Sequence, residues 1–153
     1  MSKAEQFLQY FLSHREVTKE LVKKINEEHY EYKPTETSMS AKKLVTHMLH
    51  SFYGFATIAK TGDPSALGKK LEDAETDLSQ LADKYTDLTV ETIKSLTDEE
   101  MAREIDLTNI LGAKMSARQL LQTSMDHEIN HKGNLFVYVR LMGHTDLPMF
   151  VKK

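Results

Sequence analysis

The chain has 153 residues, 40% hydrophobic and 28% charged, with no cysteine and a formal net charge of -3. This is enough for one domain, residues 1–153, to bury a core without disulfide staples, and any thiol chemistry would have to use a thiol brought in as substrate. The acidic balance argues against nucleic acid as a partner, no run approaches the roughly 18 apolar residues of a membrane span, and the charged start Met1-Ser2-Lys3-Ala4-Glu5-Gln6 does not read as a signal peptide, so a cytoplasmic location is expected.

Apolar residues recur at steps of three and four, the period of helices packed on one side. Phe7, Leu8, Phe11, Leu12, Val17, Leu21, Val22 and Ile25 predict a first helix from about Lys3 to Glu28, ending before Pro34. Ser40 is the expected cap of a second helix carrying Leu44, Val45, Met48, Phe52, Phe55 and Ile58, which stops near Gly62-Asp63-Pro64. A third is predicted through Leu71, Leu78, Leu81, Tyr85, Val90, Ile93 and Leu96.

Thr97 and Glu100 have the spacing of a capping box and predict a short helical turn. Glu104 to Lys114 alternates weakly around Gly112, as an extended excursion would, with no obvious partner strand. Ser116 and Gln119 form another capping box and open a long helix to Met142, closed by Gly143 as a left-handed cap. Four long helices make an all-α antiparallel bundle the natural fold. Met39-Ser40-Ala41-Lys42-Lys43-Leu44 echoes Met115-Ser116-Ala117-Arg118-Gln119-Leu120, which reads as shared helix-start chemistry. The pairs Lys23-Lys24, Lys42-Lys43 and Lys69-Lys70 read as solvated surface. Met48, Phe52, Phe55, Met125, Phe136 and Tyr138 fall at helical spacing and read as core packing.

The chemistry concentrates in Asp126-His127-Glu128-Ile129-Asn130-His131, where a four-residue step stacks His127 and His131 on one helix face. Imidazole nitrogens at about 2.0 to 2.1 Å can hold a d-block cation, and a third histidine would leave positions open for chemistry. The string also spells the His-Glu-x-x-His signature of zinc proteases. That reading fails on its further ligand: no glutamate follows Glu128, and the sixth position after His131 is Val137. A di-iron carboxylate site fails by count, because Glu128 to His131 is the only Glu-x-x-His in the chain.

His47 and His50 on the second helix are the candidates for the third ligand. His47 shares a face with Leu44, Met48, Ser51 and Phe55, the side a bundle would bury, whereas His50 shares one with Lys43, Thr46, Gly54 and Thr57, which reads as solvated. The metal ligands expected are therefore His47, His127 and His131. His14, His29 and His144 read as surface residues, with His144 the fallback ligand. A lone inward histidine is more often a hydrogen-bonded core residue than a ligand, but two at a four-residue step shift that balance.

These residues resemble the DinB-like proteins, a superfamily that also includes bacillithiol S-transferases and mycothiol-dependent maleylpyruvate isomerases. The resemblance covers most of the chain and is carried by Ser40-Ala41-Lys42-Lys43-Leu44-Val45-Thr46-His47, by His127-Glu128-Ile129-Asn130-His131-Lys132-Gly133-Asn134-Leu135 and by Tyr138-Val139-Arg140-Leu141-Met142-Gly143. Asn134 stands where the family commonly has glutamine. The resemblance implies a four-helix bundle with a crossing connection between helices 2 and 3, three histidines binding a divalent metal, usually nickel or zinc, and a homodimer. It carries the ligand role over to His47, His127 and His131. The family's name refers to damage-inducible expression and implies no DNA binding.

Three neutral imidazoles would leave a cation its full charge, so water or a low-molecular-weight thiol beside it would be acidified toward neutral pH and could attack a small-molecule electrophile. Glu128 is the candidate general base, if it faces the metal; it lies 100 degrees round the helix from His127. Asp126, Asn130 and Asn134 are candidates to hold the free ring N–H of a ligand histidine. Two readings stay open: a metal-dependent transferase or hydrolase, and a non-catalytic metal-binding or stress-related homodimeric bundle.

Overall fold

The computed structural model describes residues 1–68, 71 and 73–153. Helix α1 (Lys3–Lys23) opens on a capping box in which the Ser2 side chain accepts from the Glu5 amide while Glu5 reaches back to the Ser2 N–H. It ends earlier than the pattern predicts. The amides of Lys24 and Ile25 bond to the carbonyls of Leu21 and Val22, tightening the last turn, and Ile25 is drawn into the core. A short 3-10 turn, Glu27–His29, follows.

Helix α2 (Ala41–Thr61) begins where Ser40 accepts from the Lys43 amide and ends at Gly62, whose φ of 75° is a left-handed cap. Helix α3 (Leu78–Lys94) starts at its own cap, Asp77, so Leu71 lies outside it although it still packs against the core. The predicted Lys69-Lys70 pair falls outside the described residues.

Thr97 caps the short α4 (Asp98–Ala102) through the predicted box with Glu100. The weakly alternating stretch after it does have a partner strand. Strand β1 (Glu104–Leu107) pairs antiparallel with β2 (Ala113–Ser116) in the register Glu104 to Ser116 and Leu107 to Ala113. They are joined through α5 (Thr108–Leu111) and Gly112, and β1 turns Ile105 and Leu107 into the core. The capping box of Ser116 and Gln119 then starts the longest helix, α6 (Ala117–Leu141), which Met142 and Gly143 close.

The fold is thus mostly helical. Helices α1 and α2 each pack against both α3 and α6. The rings of Phe11 and Phe52 meet in the interior at 4.6 Å between centroids. Near the other end Val17, Leu21, Leu44, Val45 and Met48 join Leu135 and Val139 in a second cluster. Side chains of this size are worth about 1.5–3 kcal/mol each on full burial, so these seams fix how the long helices are rotated against one another. The C-terminal segment folds back on α1, where the Lys152 amide donates to the Ser13 carbonyl at 2.8 Å.

Candidate metal centre

His47 comes from α2, and His127 and His131 from successive turns of α6. The imidazoles of His47 and His127 approach to 2.9 Å between Nε2 atoms. Ring centroids are 4.7 Å apart for His47 and His127, 5.1 Å for His47 and His131, and 4.5 Å for His127 and His131. One nitrogen from each ring can be chosen so that all three lie within 4.8 Å of one another. The structure therefore brings together the three histidines chosen from helix faces.

They meet at a rim, not in the core. His127 and His131 are half-buried and His47 is exposed, so the expectation that α2 buries His47 is wrong, although Leu44 and Met48 beside it are buried. Leu44 and Met48 fill the seam, while His47 stays at the surface within reach of His127 and His131 on α6.

Burial pushes the His127 ring down to about 4, helped by the charges that His131 and His47 would carry. Burial also lowers His47, with His131 adding to the effect. Both rings are neutral at pH 7 and offer lone pairs. Two contacts aim those lone pairs. Asn134 Oδ1 lies 3.3 Å from His131 Nδ1 and can accept a proton held there, the tautomer that leaves Nε2 free. Ser51 Oγ stands 3.3 Å from His47 Nδ1 and can hold that ring in the same tautomer. All three named candidates, Asp126, Asn130 and Asn134, are exposed, and of them it is Asn134 that meets a ligand ring.

The donor set fits a borderline divalent cation: three convergent imidazoles, two with an oxygen at the far nitrogen. Among the described residues no fourth histidine or carboxylate joins the group. His144 lies past α6 with its amide on the Val139 carbonyl and is not part of the cluster.

Glu128 has a different post. It is 1% exposed, and its carboxylate accepts from Arg15 Nε at 3.0 Å, Arg15 Nη2 at 2.9 Å and Thr18 Oγ1 at 2.7 Å. Burial alone would raise its pKa, but the Arg15 guanidinium and the hydrogen bonds from Arg15 and Thr18 outweigh that and hold it below the usual carboxylate range. Its lone pairs are committed toward α1, which corrects the sequence expectation of a general base. Arg15 is itself fully buried, donates to Thr86 Oγ1 at 3.2 Å and lies 4.7 Å over the Phe11 ring.

Lys132, the residue after His131, is also buried, and its Nζ meets His14 Nδ1 and the Phe150 carbonyl. His14 is therefore an interior residue and not the surface one expected. Burial lowers it, and Lys132 lowers it further.

Two features near the triad escaped the sequence reading. His50 is half-buried, with Nε2 3.0 Å from Asp73 Oδ2; Asp73 also accepts from Lys84 Nζ and Tyr85 Oη at 2.8 Å. Only a residue outside α2, far along the chain, makes His50 polar-paired and not solvated. The second is an open groove of about 730 Å³ over the start of α2, lined by Lys33, Lys42, Lys43, His47, His50 and Ser51 among others.

The sequence profile of the DinB family matches residues 1–152. The chain belongs to the DinB family. Among its DinB relatives, it is 54% identical over 153 residues to an uncharacterized protein, YjoA, of Bacillus subtilis strain 168, with 100% of this chain and 99% of YjoA covered. The crystal structure of a DinB-like protein, YjoA, from Bacillus subtilis matches this fold with a TM-score of 0.91 at 54% identity, over 97% of this chain and 99% of that one. A DinB-like protein from Bacillus cereus ATCC 10987 shares the fold at a TM-score of 0.73 and 19% identity, over 94% and 95% of the two chains. No helix among the described residues is long and apolar enough to cross a membrane.

Proposed function

We propose that this DinB-family protein binds one divalent metal, nickel or zinc, through His47, His127 and His131, and uses it to activate water or a small thiol against an electrophilic small molecule. The observation that carries this reading is the convergence of three imidazoles near the surface, one of which, His47, lines an open groove. A structural site is closed by a fourth protein ligand in the interior, whereas a catalytic one keeps a position open to solvent. A divalent cation held by three neutral ligands would supply a strong positive charge that makes a neighbouring water or thiol more acidic.

The chain's own residues do the rest. Asn134 and Ser51 keep Nδ1 of His131 and His47 occupied, so that both rings present Nε2. Arg15 and Thr18 grip Glu128 and thereby fix the rotation of α6, on which His127 and His131 stand one turn apart. Glu128 acts as a positioning residue under this reading.

The same reading takes the four long helices as a bundle with a crossing connection. Its support is the pairing of His50 with Tyr85 midway along α2 and α3, and of Lys60 Nζ with the Ser95 carbonyl at their ends, which has the two helices running the same way. Val137 and Leu141, apolar and half-exposed one turn apart on α6, support assembly as a homodimer, which sedimentation of wild type against a Val137→Asp/Leu141→Asp variant would test.

The deciding experiment is elemental analysis of untagged protein beside a His127→Ala/His131→Ala variant. Near-stoichiometric metal in the parent and none in the variant is the expected result. No metal in either, even after incubation with zinc or nickel, would overturn the proposal.

A further inference from the structure

We propose that the groove over the start of α2 binds a small molecule carrying at least two negative charges, as carboxylate or phosphate, with its other end directed at His47. The inference rests on the reading of His47 as part of the reactive centre and adds the class of ligand that this centre serves.

Charge and shape both mark the groove as an anion site. The whole chain has 20 Lys and Arg against 23 Asp and Glu. The groove reverses that balance: Lys33, Lys42 and Lys43 line it against a single carboxylate, Glu31. Among the described residues these three lysines have no ion-pair partner, unlike Lys19, Lys60, Lys84 and Lys152, each of which has one. Three ammonium groups with one carboxylate among them raise the local potential, and an anion relieves it.

The amides that open α2 are already used. Ala41 donates to the Tyr32 carbonyl, Lys42 to the Tyr30 carbonyl and Lys43 to Ser40 Oγ. Recognition of an anion therefore falls to the ammonium groups and to the nearby Ser51 hydroxyl, since Thr46 Oγ1 already donates to the Lys42 carbonyl.

Size narrows the class. A volume of about 730 Å³ lies in the range of small-molecule sites. Three lysines against Glu31 leave two positive charges in excess, so a single negative charge would leave one unanswered, whereas a dianion answers both. His47 lies in the same wall, with His127 2.9 Å away across the Nε2 atoms, so a ligand anchored at the lysines by its anionic groups would extend toward the reactive end.

Binding to untagged protein can be read from amide chemical shifts during titration with inorganic phosphate and with succinate, with succinamide as the neutral control. The expected result is saturable shifts confined to residues 31–51 for at least one anion, weakened by sodium chloride and about tenfold or more weaker in Lys42→Ala/Lys43→Ala, since an exposed charge pair contributes a modest amount and two are removed. Phosphate alone binding, or succinate alone, selects between the two oxyanion types. Shifts equally strong at lysines elsewhere, shifts matched by succinamide, or no saturation with either anion would overturn the inference. The His127→Ala/His131→Ala variant separates the two proposals: it loses metal under the first and keeps anion binding under the second.

Discussion

Two faces of α6, one residue apart, carry the same kind of sequence and do opposite jobs. His127 and His131 form one four-residue pair and open onto solvent beside α2; Glu128 and Lys132 form another and are buried against α1. A helix turns 100 degrees per residue, so a single step decides between a rim where lone pairs are available and an interior where Glu128 accepts three hydrogen bonds. The ligand face keeps its chemistry because the neighbouring face is so heavily constrained: Arg15 and Thr18 hold Glu128 from one element, and His14 and the Phe150 carbonyl hold Lys132 from two.

The most severe way to break this contrast is to remove one side of the buried pair. Arg15→Ala leaves an uncompensated carboxylate in the interior and is expected to cost about 3–5 kcal/mol in urea unfolding, while a paired Arg15→Met/Glu128→Leu variant should recover most of that loss. A paired variant as unstable as the single one would show that packing and not charge holds the face.

Changes on the open face should spare the fold and strike the metal. Asn134→Ala frees the Nδ1 proton of His131 and is expected to weaken zinc binding about 10- to 100-fold in a competition assay with a chelating dye. Unchanged affinity would mean that the Asn134 contact does not set the tautomer. His131→Ala, at a half-buried ring, should shift the unfolding free energy of metal-free protein by less than about 1 kcal/mol.

Acid offers a finer test because both faces titrate in the same direction by different causes. His127 sits near 4 when folded, below an unfolded histidine at about 6.5, so the stability tied to its neutral form is present above pH 6.5 and is lost as pH falls toward 4. Glu128 is also lowered, so its contribution is present above the ordinary carboxylate range and is lost only as pH falls through its lower folded value. Metal-free protein should therefore lose thermal stability in two stages. In His127→Gln the first stage should be shallower and the second unchanged; an unaltered first stage would assign it to another group.

Much of this was legible in the residues. The caps at Ser40, Thr97 and Ser116 announce their helices because a hydroxyl three residues before an amide is a local signal. The triad was legible because helical spacing puts His127 and His131 on one face and singles out His47. What was hidden depends on distant partners. The hairpin of β1 and β2 has four-residue strands, too short for alternation to stand out. Arg15 reads as a surface charge until Glu128 is seen opposite it, although its place four residues after Phe11 and three before Thr18 on one inward stripe was a signal that could have been weighed. His50 was misread for the same reason, since Asp73 lies in a connection with no periodicity.

The 113 positions that separate Arg15 from Glu128 also govern when the protein can exist at all. During synthesis α1 leaves the ribosome early, carrying an arginine destined for the interior, and the carboxylate that neutralises it there comes only when most of the chain has been made. A partial chain cannot settle α1 into its final seat without stranding a charge, so early collapse around it is penalised. The ion pair thus acts as a checkpoint in time, delaying closure until the helix that bears His127 and His131 has arrived.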